Sequence, residues 1–436
     1  MSNVERSDVV VIGAGLGGLI AAIDLARHGR EVVVCEKSKQ IGGRAITQEE
    51  SGYLWNLGPH ALYRRGAAKR ILDDLGVRVT GGMPSGSGRF AVHHGKLHTL
   101  PTGFVSLVST GLMPLGAKLE FARLLTAIGR IDPEPLRAVT VAAWLGERTR
   151  HEAVAGFLGA LVRLTSYVNA ADAMSAGDAV EQIQLALAGN VLYLDGGWQT
   201  LVDGLVAVAE RAGVRVERAA AARSVVVSDG TLGVRLADGR SIVGGAVVAA
   251  VPPQAVASLF DGALPQQLRG AVAGATPVRA ACLDLALSSL PAANATFALG
   301  VDAPTYLSVH SAAAKLAPDG GAVVHVAKYL APGDDGATGV EHELEQLTDL
   351  VQPGWRERVV TRRFLPAMIV THALPAAANG GKTGRPKPED TGIAGLFLAG
   401  DWVGGEGLLA DAAAASARTA AERCHAYLDV RHAKAA

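Results

Sequence analysis

The 436-residue sequence predicts an α/β protein with two domains, one of which is assembled from separated parts of the chain. Three observations predict this fold class. A β-branched run, a glycine-rich turn and a helical pattern open the chain at residues 9–28. An apolar run and an alanine-rich helical pattern close it at residues 395–427, and four short strand patterns lie between them at residues 214–250.

The composition narrows the classes of function. Lys plus Arg and Asp plus Glu number 41 each, so there is no basic field of the kind that nucleic-acid binding requires. Hydrophobic residues make up 49% and charged residues 19%, which predicts a globular protein with much apolar surface to bury. Cys35, Cys282 and Cys424 are too far apart to predict a disulfide framework or a zinc ligand set, so no metal site is predicted.

The first motif follows the opening strand. Residues 9–12 are β-branched, and residues 16–28 have helical periodicity. The turn between them reads Gly13-Ala14-Gly15-Leu16-Gly17-Gly18, with glycines at the spacing that a tight turn, a close phosphate approach and helix-on-strand packing require. The motif predicts a dinucleotide site; the alternative is a glycine-rich turn without a ligand.

The next residues favour one dinucleotide. A second strand at residues 31–35 ends at Glu36, placed to bind the adenosine ribose, and Lys37 follows. Gly42-Gly43-Arg44 comes soon after, and an arginine at this point can pair with a pyrophosphate. NAD sites do not usually carry this arginine, so we expect FAD.

The Gly42-Gly43-Arg44 run, followed by Gly58-Pro59-His60, resembles the flavoprotein superfamily of amine oxidases, protoporphyrinogen oxidases and phytoene desaturases. The resemblance implies a discontinuous Rossmann-like FAD-binding domain with an inserted α+β substrate domain that contains a mixed sheet and a helical lobe. It implies FAD contacts at Gly43, Arg44, Gly58, Pro59 and His60. This chain has Asn56 where those proteins usually have Asp, so one contact of that loop is expected to differ.

The C-terminal strand and helix belong to the same resemblance. The strand ends in Gly400-Asp401, and the implied role of the aspartate is to bind the ribitol and phosphate part of FAD. Leu409 and Ala410 come just before the following helix, which is predicted from about Asp411 to Tyr427, and are expected to face the flavin, since a helix N-terminus offers free N–H groups to the charge of reduced flavin. A backbone group at Ala222 is expected to meet the adenine.

Segment boundaries follow from these assignments. We predict an FAD-binding domain from residues 1–80, 195–255 and 385–436, and a substrate domain from residues 81–194 and 256–384. The first insertion has helical patterns at residues 104–112, 116–129, 139–145 and 151–167. The second has strand patterns at residues 279–286 and 322–329 and a helical pattern near residues 341–350.

Residues 103–115 carry no charge and include three glycine or proline residues. A buried loop and helix is favoured over a hydrophobic mouth or a membrane-touching segment, because a peripheral helix usually has a strong basic face. The N-terminus has no signal-peptide pattern, and no apolar run is long enough to span a membrane. We therefore expect a cytoplasmic protein, with peripheral membrane contact left open and the oligomeric state undetermined.

The expected reaction is hydride transfer from an apolar small-molecule substrate to flavin N5, with FAD bound non-covalently. His60 and Trp402 are the candidate catalytic residues beside the ring. Their alternatives are a histidine hydrogen-bonded to its own loop and a packed core aromatic.

Three other functions stay open: a flavin-dependent isomerase without net oxidation, a non-enzymatic escort protein on the same fold, and an amine oxidase. The amine oxidase is disfavoured because its lysine is missing from residues 276–283 and its aromatic residues from residues 405–415. Lys328, on a neighbouring predicted strand, could occupy the place of that lysine.

Overall fold

The computed structural model describes residues 4–228, 231–260, 264–336 and 338–435. A turn predicted at Asp229-Gly230 lies outside them. The described residues form two seven-stranded sheets and two small ones, with helices packed on both large sheets. This arrangement confirms the predicted α/β fold class with a mixed second sheet.

Strands are numbered in chain order, with these bounds: β1 Val4–Ile12, β2 Val32–Cys35, β3 Thr47–Glu50, β4 Tyr53–Asn56, β5 Leu62–Tyr63, β6 Gly81–Gly82, β7 Arg89–His93, β8 Lys96–Thr99, β9 Val191–Leu194, β10 Arg215–Glu217, β11 Ala222–Ser228, β12 Thr231–Leu236, β13 Ser241–Ala249, β14 Val278–Leu287, β15 Phe297–Gly300, β16 Thr305–Val309, β17 Ala322–Tyr329, β18 Val359–Thr371 and β19 Leu396–Leu398.

The α-helices are numbered in the same way: α1 Leu16–Arg27, α2 Ala67–Asp74, α3 Phe104–Ser109, α4 Leu115–Ile128, α5 Val141–Arg148, α6 Glu152–Ser166, α7 Ala176–Gly189, α8 Gln199–Arg211, α9 Pro253–Ser258, α10 Gln266–Ala273, α11 Val340–Val351 and α12 Leu409–Ala435.

The first sheet has the order β10-β2-β1-β13-β12-β11. Strands β10, β2, β1 and β13 are parallel, and β19 adds in parallel to the second half of β13, while β11 and β12 are antiparallel. Both faces are covered, which is why β2 reads as an unbroken apolar run that is buried at every position. All its strands fall inside the segments predicted for the FAD-binding domain, whose exact boundaries stay a prediction.

The second sheet has the order β18-β14-β17-β16-β15-β7-β8. Its pairs are antiparallel except β15 with β7, where the second insertion joins the first. Helices α4 to α7 pack around a separate apolar core that includes Phe121, Trp144 and Phe157. Both insertions therefore build one unit with a mixed sheet and a helical lobe.

Helix α7 and strand β18 are long elements that the sequence patterns did not predict. Helix α7 is capped by Ser175, whose hydroxyl accepts the Asp178 N–H, and its alanine-rich sequence shows little apolar periodicity. Strand β18 carries arginines and Pro366 and is only half buried. It lies at an edge of the sheet, where a proline and polar residues are tolerated.

The interpretation of residues 103–115 as a buried loop and helix is wrong. Helix α3 has no buried residue, and Phe104 and Val105 are 83% and 79% exposed. Leu112 and Met113 anchor the end of this segment in the core of the lobe. Among the described residues, no helix has the length and apolar character needed to cross a bilayer.

Candidate active site

One cavity of about 1220 Å³ runs between the first sheet and the unit that the two insertions build. Ligand pockets usually measure about 300–1,000 Å³, so this one can hold a dinucleotide and a second molecule. Its cofactor half is lined by the glycine turn and the ends of the parallel strands. Its apolar half is lined by α4, α6, α7 and tyrosines.

The glycines of the first turn have different surroundings. A Cβ on Gly13, whose φ is +98°, would lie 2.6 Å from the Ala250 carbonyl oxygen, and a Cβ on Gly18 would lie 1.9 Å from that of Gly13. Gly15 has an ordinary φ of −78°, and a Cβ there would have only the Gly42 oxygen nearby, at 3.9 Å. Two glycines therefore permit packing, while Gly15 keeps space in the cavity free.

Glu36 lies where β2 ends, at the same sheet edge as this turn. Its carboxylate accepts the Ala14 and Ser38 N–H groups at 2.8 and 2.9 Å, which fixes its position beside the glycine turn. The Ala220 N–H donates to the Glu36 carbonyl, so Ala222 lies at this end of the cavity as well. Leu16, Gly17, Lys37 and Ala222 all line the cavity, as do Gly13, Gly15 and Glu36.

Hydrogen bonds of Asp401 connect the C-terminal segment to the N-terminal segment. Asp401 Oδ2 accepts from Arg44 Nη1 at 2.7 Å, and its Oδ1 lies 3.0 Å from His372 Nδ1. Burial would raise the pKa of this carboxyl, but Arg44 and His372 outweigh that effect and hold the pKa below its usual range. Asp401 is therefore a buried anion.

The Arg44 guanidinium has N–H donors left for a second anion. Nη1 is used by Asp401 and by the Val370 carbonyl, but the side chain is 40% exposed and lines the cavity. A guanidinium has five N–H donors, so it can bind a phosphate and keep these contacts. Gly43 and Gly400 line the cavity beside it.

The start of α12 also faces the cavity. Leu409 has a φ of +56°, and Leu409 and Ala410 both line the cavity. Asp411 follows, accepts the Ala68 N–H with Oδ1 and so caps α2, while its Oδ2 has no partner. Burial raises the pKa of Asp411 to about 6.

Both candidate catalytic residues line the cavity, but their ring nitrogens face backbone carbonyl groups. His60 Nδ1 and Nε2 lie 3.1 Å from the Gly58 and Arg44 carbonyl oxygens, and burial lowers the pKa of His60 to about 4. Trp402 is 1% exposed, and its indole N–H donates to the Val251 carbonyl. This geometry favours the two structural alternatives, and catalysis by either residue stays a prediction.

The loop before His60 is fixed by Asn56. Its Oδ1 accepts from Thr47 Oγ1 and from the Trp198 N–H. Pro59 lines the cavity, whereas Gly58 lies behind it, where a Cβ would lie 2.8 Å from Met368 and 2.9 Å from Cys282. Of the residues predicted to contact FAD, Gly18 and Gly58 thus have packing roles here.

No pattern in the sequence indicates the aromatic wall of the apolar half. Four of the seven tyrosines line the cavity, although they are far apart in the chain: Tyr63, Tyr167, Tyr193 and Tyr306. Each hydroxyl has a partner inside the protein, respectively the Thr165 carbonyl, the Pro59 carbonyl, Ser308 Oγ and His310 Nε2. The wall therefore presents mostly ring surface, and only the tertiary structure assembles it.

A buried polar network supports this wall. His310 stacks on Tyr193 with ring centroids 3.8 Å apart and meets His325 edge-on at 4.5 Å. His325 Nδ1 lies 2.6 Å from Asp284 Oδ1, and Arg363 donates to Asp284 Oδ2 at 2.6 Å. Burial alone would raise the pKa of Asp284, but His325 and Arg363 together lower it. No pattern in the sequence signals this network.

Lys328 is not in the cavity. It lies on β17 opposite Ala281, and its Nζ pairs with Glu343 of α11 at 2.5 Å. Helix α11 covers the opposite face of the sheet, where it packs with Leu285 and Val324. The alternative in which Lys328 replaces the amine oxidase lysine is therefore wrong in this geometry.

Residues 16–425 match the model of the flavin-containing amine oxidoreductase family. Protoporphyrinogen oxidase 1 of Arabidopsis thaliana is 32% identical over 120 residues, 26% of this chain and 22% of that protein. A carotenoid 3,4-desaturase of Haloarcula japonica is 46% identical over 59 residues, 14% of this chain and 12% of that protein. The matched stretches thus cover less than a quarter of either relative.

Two solved structures superpose on nearly the whole of this chain. An oxidoreductase from Methanosarcina mazei superposes with a TM-score of 0.76 at 20% identity, covering 95% of this chain and all of that one. A putrescine oxidase bound to putrescine also gives 0.76, at 16% identity, covering 97% of this chain and all of that one. At these identities the likeness establishes the fold alone. With a family match over residues 16–425 and this fold, the chain belongs to the flavin-containing amine oxidoreductase family, as its motifs predicted.

Proposed function

We propose that the chain binds FAD non-covalently in the cofactor half of the cavity and oxidises an apolar or porphyrinogen-like substrate held in the apolar half. The observation that carries this proposal is the continuity of the cavity, because one space is lined both by the glycine turn and by the tyrosine wall. A substrate there can meet a flavin without leaving the protein.

The cofactor half fits FAD by its donor set. Gly15 leaves room for the pyrophosphate at the N-terminus of α1, where N–H groups are free. Glu36, Arg44 and Asp401 all line this half, and we assign them to the ribose, the pyrophosphate and the ribitol, respectively. Leu409 and Ala410 bring the N-terminus of α12 to the flavin end.

When bound, the flavin supplies the hydride acceptor for the oxidation. The chain's own residues orient the substrate and exclude water. The apolar half does this with ring faces and with Phe121, Phe157 and Leu161, which also belong to the core of the helical lobe or pack against it. His60 is uncharged near neutral pH because burial lowers its pKa to about 4.

The charges around the cavity argue against a simple amine substrate. Among the described residues, the acidic groups that line it are Glu36, Asp401 and Asp411, all in segments assigned to FAD binding. Arg89 lines the apolar half, and its desolvation lowers the pKa of this guanidinium. This cation suits a carboxylate on the substrate, whereas an ammonium group would be repelled.

We also propose that the cavity opens at a membrane surface. Phe104, Val105, Val108, Leu115 and Leu119 are each more than half exposed, within sixteen residues of one another. The same segment leads into Leu100, Phe121 and Leu125, which line the cavity. An exposed apolar patch next to an apolar cavity allows a lipid-soluble substrate to enter without crossing water.

Gly15→Val should give folded protein with little FAD. The backbone there tolerates a side chain, but the valine would occupy the space of the pyrophosphate. The matched control is Gly129→Val, at an open position at the end of α4 where an added Cβ has nothing within 4 Å. Absorbance at 450 nm per protein gives the occupancy, and full occupancy in Gly15→Val would contradict the assignment.

Purified protein should release its flavin on acid or heat denaturation. Covalent attachment in this superfamily uses a cysteine shortly before the last strand, and residues 364–393 contain none. The three cysteines are buried, and burial raises the pKa of Cys35 and Cys424 to about 12, which suppresses the reactive thiolate. Flavin that stays with the precipitate after centrifugation would show a covalent link.

A substrate panel tests the proposed class. Stopped-flow mixing with primary amines, polyamines, porphyrinogens and polyenes should bleach the 450 nm band with the last two classes only. Lys328→Met should leave the bleaching rate unchanged, because Lys328 pairs with Glu343 away from the cavity. Rapid bleaching by an amine that Lys328→Met abolishes would restore the amine oxidase assignment. An escort protein would show no flavin bands at all.

Vesicle binding tests the membrane surface. Full-length protein should sediment with vesicles of phosphatidylethanolamine and phosphatidylglycerol, and the Phe104→Ser, Val105→Ser double variant should bind at least about tenfold more weakly. Val430→Ser removes another exposed valine, on α12 of the other domain, and serves as the control. Equal binding by all three proteins, or none by the wild type, would show that this patch is not a membrane contact.

A further inference from the structure

Two histidines and one aspartate meet at a corner of the second sheet, outside the cavity. His93 ends β7, His94 begins the turn to β8, and Asp302 follows β15. One nitrogen of each histidine and one oxygen of the aspartate all lie within 4.8 Å of one another. Neither the FAD site nor the substrate cavity uses these side chains.

The turn conformation brings the two imidazoles together. Adjacent residues in a regular strand point to opposite faces, but His94 has a φ of +49° and Gly95 one of +68°. Positive φ at both central residues makes a two-residue hairpin turn in which Asn or Gly is usual at the first position. With histidine there instead, the His93 and His94 rings lie 4.0 Å apart between centroids.

The carboxylate is already held in place. Asp302 Oδ2 accepts the His94 N–H at 2.8 Å, and Oδ1 accepts the Ala303 N–H at 3.1 Å. Each oxygen keeps a further lone pair. Oδ2 lies 3.5 Å from His94 Nδ1, so the acceptor and the imidazole are neighbours before any ion binds.

We propose that His93, His94 and Asp302 bind one zinc ion. Two imidazole nitrogens and one carboxylate oxygen are ligands that zinc takes in proteins, with water in the fourth position of a tetrahedron. His94 and Asp302 are exposed, so the open position faces solvent. Coordination requires side-chain rotations that shorten the present spacing of the donors, and the 78% exposure of the His94 side chain leaves space for them.

A zinc ion bound to His93 and Asp302 would link the first insertion to the second. β7 belongs to the first and β15 to the second, and they form the parallel pair of the sheet, with Gly300 opposite Val92. Zinc at His93 and Asp302 would clamp the end of this pair. The hairpin continues through β8 to Leu100 at the cavity, so the clamp stabilises the strand that leads to the cavity wall. The site revises the expectation of no metal, which rested on the cysteines.

Calorimetric titration of tag-free, FAD-loaded protein with zinc chloride tests the site. Wild type should bind one zinc ion, and its melting temperature should rise with zinc. His94→Asn, which tolerates the positive φ, and Asp302→Asn, which removes the charge but keeps one carbonyl acceptor for the His94 N–H, should each weaken binding by at least about tenfold. His342→Asn removes an exposed histidine on α11 and should change nothing.

Two outcomes would overturn the proposal. One is zinc binding of equal affinity in wild type, His94→Asn and Asp302→Asn, which would place the ion elsewhere. The other is no saturable binding at millimolar zinc. FAD occupancy is read from the same samples at 450 nm, so a failure of the zinc site is separate from a failure of the FAD assignment.

Discussion

The site depends on the contacts that the Asp401 carboxylate makes with Arg44 and His372. Asp401 is 1% exposed and is held by Arg44 from the N-terminal segment and His372 from the end of β18. A buried carboxylate without partners is strongly destabilising, so the contacts with Arg44 and His372 stabilise the folded chain. The meeting of these three residues places the first forty-five residues, the last strand and the substrate domain around one space.

The parallel strands explain why the cofactor residues converge. Gly13 follows β1, Glu36 follows β2, and Gly400 comes just after β19. Carboxyl ends of parallel strands lie at one edge of a sheet, which is where open α/β sheets bind their ligands. Residues nearly four hundred positions apart thus become neighbours through strand pairing, with Ile12 opposite Ala249 and Ala249 opposite Leu398.

The second sheet determines what can reach the flavin. Its inner face supplies Tyr306, backed by His310, and the buried pair of Asp284 and His325 is completely inaccessible. Burying charges is costly unless they are paired, and here Arg363 completes the pairing.

The sequence by itself determined the family, the α/β class, the glycine turn and the ends of the parallel strands, because each of these leaves a local pattern. Even Gly15 and Glu36 were identifiable, since their spacing from β1 and β2 is set by backbone geometry. The tertiary structure alone decided the tyrosine wall, the engagement of His60 by two carbonyl groups, the outward position of Lys328 and the exposure of Phe104. These features depend on which faces of distant elements meet, and neither periodicity nor motif spacing carries that information.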